Sequence, residues 1–407
     1  MNAGAIGGTR GNLLPHCLEF NPGQPSAEEI FFAALPASSA VFLLQSDSPQ
    51  TEPYVSKTAN LRRRLQRLLG SSAEGKKLNL RNIVRTVEYA STGSDFESVF
   101  LLYKLLRAAF PKTYATRLRL RFAPLLKLHL ENQYPRVSVT VRLGRLNSKS
   151  LYYGPFPSRT VAEQFAKDAL DFFKMRRCVP DLAPDPQFPG CIYSEMAMCL
   201  APCFKGCTNE EYAAEVSRVQ SFLNSSGESL VREISAQRER ASVEMNYESA
   251  AGHHARLEKL KPLLAQWPEI VHRLDQLSAI LVQSGTEPEC VALFRVNAGH
   301  ISGPVNFCLQ APQHAKSHSM EARLREVFST FPAPEKVPAI EVMEHLALLK
   351  RWYYRSTHVG EIFFCDDAGE LPMRRLVRGI ARVYRNEKPG ETELQNAPPG
   401  SSPTPAS

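Results

Sequence analysis

The apolar positions of this chain change period several times, and each change marks an element. Val41-Phe-Leu-Leu44 is an unbroken apolar run, and Tyr54-Val-Ser56 follows a turn at Pro49, so two short strands are predicted. Asn60 then stands as an N-cap before a helix over Leu61 to Leu69. A strand is predicted over Asn82 to Tyr89. Phe96, Val99, Phe100, Leu102 and Leu106 cluster on one helical face, predicting a helix from Asp95 to Phe110. With a short helix over Ser26 to Leu35, these elements make a small α/β module at residues 28–125. Residues 1–27, rich in Gly, Pro and Asn over most of their length, are expected to be disordered.

The middle region, 126–225, carries a strand and turn at Pro135 to Gly144, a turn-rich extended segment at Tyr152 to Phe156, and a helix at Ser158 to Met175. An irregular, proline-punctuated segment follows, then a helix over Asn209 to Leu223. A helical run from Glu228 to Gln266, broken near Met245, predicts a hairpin within 226–270. Residues 278–310 alternate in apolar character and read as a β-ribbon, with helices near 317–329 and 339–355 completing a unit over 271–386. The end, 387–407, contains PPGSSPTPAS and reads as a disordered tail. The fold class expected is mixed α/β (α+β).

Charge sharpens this outline. The chain has 407 residues and a formal charge of +8. Between Tyr54 and Ser150 there are 20 Lys and Arg against 5 Asp and Glu, so the remainder is net acidic. A segment this basic attracts polyanions, and DNA is the partner expected. Arg62, Arg63, Arg67, Lys76 and Lys77 are its candidate phosphate contacts. No apolar run approaches a membrane span, and the first twenty residues lack the pattern of a secretory signal. No membrane partner and a cytoplasmic location are therefore expected.

That location bears on the cysteines. Five of nine lie between Cys178 and Cys207, spaced Cys178-x12-Cys191-x7-Cys199-x3-Cys203-x3-Cys207. Cytosolic thiols stay reduced, so clustering of this kind points to metal or iron–sulfur ligation rather than disulfides. The segment holds little regular structure of its own, and a metal would hold its shape. Cys17, Cys290, Cys308 and Cys365 are scattered and read as buried or incidental thiols.

Several motifs stand in a fixed order. AVFLL…PYVSKTANLRRRL at residues 40–65 resembles the GIY-YIG nuclease module. Tyr134-Pro135, Tyr153-Gly-Pro-Phe156 and Leu200-Ala-Pro-Cys203 follow, then Met245-Asn-Tyr-Glu-Ser-Ala-Ala251, which is similar to the UVR signature. This order resembles the N-terminal half of the UvrC family of bacterial excinuclease proteins, over residues 28–310. In length the chain is closer to stand-alone homologues that carry only the half incising 3′ of a lesion. The resemblance implies nucleotide excision repair, DNA binding, and docking of a UvrB-like helicase through Tyr247, Glu248, Ala250 and Ala251. Departures there (His254-Ala255 for the family's Arg-Asp) weaken the last implication. It also implies that Cys178, Cys191, Cys199 and Cys203 hold a [4Fe–4S] cluster, with zinc as the alternative. Cys207 falls outside that pattern.

Carried over residue by residue, Tyr54, Lys57 and Arg64 match the module's second tyrosine, lysine and catalytic arginine. The first tyrosine is replaced by Phe42 and the motif glycine by Ser56. Leu102 stands where the family has its metal-binding glutamate, and Tyr114 where it has an asparagine. Leucine contributes no charge to hold a Mg²⁺ or Mn²⁺ ion. Glu97 lies five residues earlier, about 140° round the helix, and Asp95 lies seven earlier, about 10 Å along the axis. A DNA-binding repair protein with a degenerate nuclease centre is therefore expected. The alternatives are an active metal-dependent 3′-incision endonuclease and an interaction scaffold without tight DNA binding.

Overall fold

The computed structural model describes residues 13–23, 25–48, 50–71, 78–144, 149–310, 319–332, 337–366 and 368–387. Over these residues the chain builds three four-stranded antiparallel sheets with packed helices, a mixed α+β architecture. The first unit runs β1 (His16–Glu19), α1 (Pro25–Ala34), β2 (Ala40–Gln45), β3 (Tyr54–Thr58), α2 (Leu61–Leu69), β4 (Thr86–Ser91), α3 (Asp95–Ala109) and α4 (Tyr114–Leu118). Its sheet order is β1-β4-β2-β3. Strand alternation splits β2 between two layers. Phe42 and Leu44 pack with Phe31 of α1 and Leu61, Leu65 and Leu68 of α2. Val41 and Leu43 pack with Leu105, Leu101 and Leu102 of α3 and with Val55.

Two expectations are corrected here. The N-terminal stretch read as disordered contains β1, whose residues 16–19 pair in register with residues 86–89 of β4. Four residues carry no readable periodicity, and the strand exists because β4 offers it an edge, with Leu14 and Phe20 buried at either end. The strand expected from Asn82 begins only at Thr86. The N–H groups of Ile83 and Val84 both donate to the Leu80 carbonyl, which holds that stretch in a turn.

The second unit comprises β5 (Leu125–Leu128), β6 (Val137–Thr140), β7 (Leu151–Gly154), α5 (Arg159–Leu170), α6 (Ile192–Glu195) and α7 (Asn209–Asn224). The hairpin of α8 (Glu228–Val243) and α9 (Tyr247–Ala265) follows, breaking at Met245 as the sequence predicts. β8 (His272–Arg273) then returns to complete the order β6-β5-β7-β8.

The third unit contains β9 (Ser278–Ser284), β10 (Cys290–Asn297), β11 (His300–Cys308), α10 (Met320–Thr330), α11 (Ala339–Tyr353), β12 (Glu361–Phe364) and α12 (Met373–Arg385). The expected β-ribbon is three strands of a sheet ordered β11-β10-β9-β12, and both its faces are covered. Ile280, Val282, Val291 and Leu293 face α10 and α12. Ala279, Leu281, Ala292 and Phe294 face the large central core.

That core joins the first and third units through α3. Phe96, Val99, Phe100, Tyr103 and Leu106 share it with Phe294 of β10 and with Val342, Leu346, Leu349 and Trp352 of α11. The approach is close at the start of α3. A Cβ on Gly93 would lie 2.3 Å from the backbone of Ser284 and Gly285, so only glycine fits. Among the described residues no helix is long and apolar enough to cross a membrane.

Candidate nuclease-like centre and cysteine segment

Asn60 caps α2 by accepting the Arg63 N–H at 2.9 Å, which sets Arg64 in the first turn beside β3. There the Arg64 guanidinium donates to the Tyr54 hydroxyl at 3.0 Å. Phe42 is fully buried, its ring centroid 6.1 Å from that of Tyr54. The structure thus brings Tyr54, Arg64 and Phe42 together. Lys57 alternates onto the Val55 side of β3 and is ion-paired with Asp95 at the start of α3. Asp95 also takes the Arg355 guanidinium at 3.0 Å, from the chain just after α11. Burial works to raise the Asp95 carboxyl, but Lys57, Arg355 and Arg351 outweigh it and hold it below its ordinary value.

Leu102, expected to stand at the family's carboxylate position, packs with Val55 against Val41, Leu43 and Leu105. The neighbouring acids are both engaged. Glu97 accepts the Gly93 N–H at 2.7 Å, and burial pushes its carboxyl up. Tyr114 turns inward and donates to Glu344 of α11, as Tyr103 does at 2.7 Å. Leu102 thus packs within the first unit, whereas Tyr103, Tyr114 and Asp95 bond to groups of the third.

The basic side chains divide in a way their spacing did not show. Arg62, expected to reach phosphate, is instead turned onto the end of α1, donating to Leu35 O at 2.8 Å and Ala33 O at 3.1 Å. Those carbonyls are left open by the helix terminus, and the guanidinium satisfies them. Arg63 and Arg67, one turn apart on α2, face solvent. Lys76 and Lys77 lie outside the described residues.

The cysteine segment is threaded by backbone bonds rather than by long elements. Cys191 begins α6 in a capping box with Ser194, Leu200 N–H donates to Lys174 O at 3.0 Å, and Asp185 N–H donates to Cys203 O at 2.8 Å. Burial pushes the Cys199 thiol up to about 11, and the nearby Cys178, Cys203 and Cys191 add to the shift. Burial also raises Cys203, with Cys191 and Cys178 contributing. Cys199 thus lies within electrostatic reach of the other three. The Cys207 thiol is raised first by burial, then by Glu211 and Cys203.

Beside them Arg176 is almost wholly buried. It donates to the carbonyls of Tyr134 (2.8 Å), Cys178 (3.2 Å) and Pro180 (2.7 Å), and to Cys178 Sγ at 3.4 Å.

The hairpin presents its apolar tip to solvent. Val243 is 75% exposed, Met245 73% and Tyr247 69%. Glu248 and Ala251 are also exposed, while Ala250 is half-buried against the hairpin. Asn246 caps α9 by accepting the Ser249 N–H at 3.1 Å, which fixes the turn.

A small first sheet, a cysteine segment on a second sheet and a helical hairpin thus follow one another in the order of the sequence motifs. Residues 123–222 match the family described as UvrC/Cho excinuclease, middle domain. The chain is similar to the UvrC family beyond that stretch as well. It is 27% identical over 294 residues to the UvrABC system protein C of Rickettsia rickettsii (strain Sheila Smith), covering 72% of this chain and 45% of the relative. It is 26% identical over 313 residues to that of Rickettsia bellii (strain RML369-C), covering 76% and 48%. The chain thus matches just under half the length of these relatives. No solved structure matches it significantly.

Two features escaped the sequence reading. Cys290 and Cys308, read as incidental thiols, stand directly opposite across β10 and β11 and form a disulfide. The pairing depends on strand register, which scattered thiols in a sequence do not reveal. α12 was not predicted, although its Arg-rich face and apolar face alternate at helical spacing.

Proposed function

We propose that this chain is a DNA-binding protein of nucleotide excision repair whose GIY-YIG-like centre does not incise DNA by the family mechanism. The observation that carries this reading is Leu102. Where a carboxylate would hold a divalent ion, an aliphatic side chain packs against Val41, Leu43 and Val55. Hydrolysis of a phosphodiester there needs the metal to polarise the phosphate and activate water. Tyr54 and Arg64 remain able to position a phosphate but not to supply that charge. Asp95 and Glu97 are committed to Lys57 and Arg355 and to Gly93 respectively.

Cys178, Cys191, Cys199 and Cys203 are the residues that would hold a metal group, a [4Fe–4S] cluster with zinc as the alternative, since four thiolates suit either. When bound, such a cluster would crosslink the segment and tie it to Arg176. The exposed tip at Val243, Met245 and Tyr247 is the surface that would take a UvrB-like helicase.

The test is incision of a lesion-bearing duplex with Mg²⁺ or Mn²⁺, run beside DNA binding on anaerobically purified protein with iron and zinc analysis. Binding without cutting is the expected result. Cutting that disappears in a Tyr54→Phe/Arg64→Ala variant would show an active 3′-incision nuclease. Absence of salt-dependent DNA binding would leave only a scaffold.

A further inference from the structure

α12 is amphipathic in an unusual sense, because its apolar side is already used. Leu376 and Ile380 are fully buried and Val383 nearly so, packed with Ile280, Val282 and Phe363. Gly379 allows this close seating: a Cβ there would lie 2.0 Å from Phe363 Cζ. The opposite side is basic. At 100° per residue, Arg374, Arg378 and Arg385 fall within about 40° of one another, opposite that buried stripe. Residues 371–387 hold five arginines and one acidic residue, Glu387.

The pairing of these arginines is informative. Arg382 lies towards the sheet, bound twice to Glu361 at 2.8 and 2.6 Å. Arg385 reaches Glu387 at 3.6 Å, with both side chains open to water. Arg374, Arg375 and Arg378 are exposed and have no ion-pair partner among the described residues. The first turn of the helix carries no acidic residue. Three guanidinium groups are thus held on a rigid, core-docked helix without a counter-charge.

We infer that the outer face of α12 is a docking surface for the phosphate backbone of duplex DNA, separate from the nuclease-like module. Arg374 and Arg378 are about 6 Å apart along the axis, and Arg385 is about 16 Å from Arg374. A DNA strand offers one phosphate per about 3.4 Å of axis, so the stripe can engage several phosphates at once. A basic amphipathic helix can also lie on an anionic membrane, but that mode requires a free apolar face. Here that face is in the core. Because the helix is already ordered, little conformational entropy is lost on binding. The inference rests on the DNA-binding reading above and adds a second contact surface to it.

The experiment is fluorescence anisotropy of a labelled duplex titrated with full-length protein between about 50 and 200 mM salt. Wild type is compared with Arg374→Ala/Arg378→Ala, with Arg374→Lys/Arg378→Lys, and with Arg63→Ala/Arg67→Ala on α2. Each lost phosphate contact flattens the plot of log K against log salt by about 0.9, so the α12 alanine pair should flatten it by about 1.8. The lysine pair should keep the wild-type slope, and circular dichroism should show all variants folded. A wild-type slope retained by the α12 alanine pair overturns this inference while leaving DNA binding intact. Wild-type binding without any salt slope overturns both. Tighter binding to phosphatidylserine vesicles than to duplex, lost in the same pair, overturns it in favour of a lipid surface.

Discussion

Glu344 offers a measurable handle on how the first and third units are joined. Its side chain, on α11, is 1% exposed and accepts hydrogen bonds from Tyr103 of α3 at 2.7 Å and from Tyr114 of α4. Arg107 donates to the Tyr103 hydroxyl at 3.0 Å and is paired with Glu341 at 2.9 Å, so charge balance comes from one step away. A hydrogen bond to a charged group is worth about 1.5–3 kcal/mol, against about 0.5–1.5 for a neutral pair. Tyr103→Phe removes the donor, leaves Glu344 with one phenol and strips a partner from Arg107. We expect a loss of about 2–3 kcal/mol. In a Glu344→Gln background the same change should cost only about 1 kcal/mol, because the acceptor is neutral, giving a coupling of about 1–2 kcal/mol. Tyr114→Phe, at a wetter site, should cost less than Tyr103→Phe. Urea unfolding read by tryptophan fluorescence is the assay, since Trp352 lies on the same helix as Glu344. A Tyr103→Phe cost below about 0.5 kcal/mol, or equal costs in the two backgrounds, would refute the reasoning.

Two further outcomes are expected. Gly379→Ala should lower thermal stability, because overpacking against the buried Phe363 ring costs about 1–3 kcal/mol and exceeds the gain of up to about 1 kcal/mol from helix propensity. A raised melting temperature would mean that α12 does not seat this closely. The third concerns acid. Burial works to raise the Glu131 carboxyl, but hydrogen bonds from Lys127 and Ser150 hold it at about 2, below its ordinary 4.5. A depressed folded-state value stabilises the protein above pH 4.5, and that contribution disappears as pH falls towards 2. Urea midpoints measured across this window should fall more steeply for wild type than for Glu131→Gln, and parallel curves would contradict the pairing.

Local order was legible wherever neighbours in sequence decide it. Asn60, Ser94 and Thr208 cap their helices as their types suggest, and the break of the hairpin falls at Met245. Strands that depend on a partner were harder to read. β1 is four residues long, β5 is equally short and was not predicted, and β12 follows a helix by only a short turn. None of the three has enough periodicity to announce itself, and each exists because a neighbouring strand offers hydrogen bonds. The strong amphipathic pattern of α12 was there to be found, because its arginines and apolar residues follow a clean 3.6-residue period.

The candidate site divides along the same line. By itself the sequence determined the inventory: Tyr54, Lys57 and Arg64 present, Phe42 and Leu102 in place of polar groups, and four cysteines in a fixed spacing. Which of these groups meet was decided only in three dimensions. Arg64 reaches Tyr54, while Lys57 is drawn away by Asp95. Arg62 satisfies the end of α1, Tyr114 is turned onto Glu344, and Cys290 finds Cys308. The reason is physical. Residue type sets what a side chain can donate, accept or ionise, but its partner is set by strand register and by helices from distant sequence that bury it. Asp95 shows this most plainly, because its ion pairs to Lys57 and Arg355 join β3 and the chain beyond α11 through the first turn of α3.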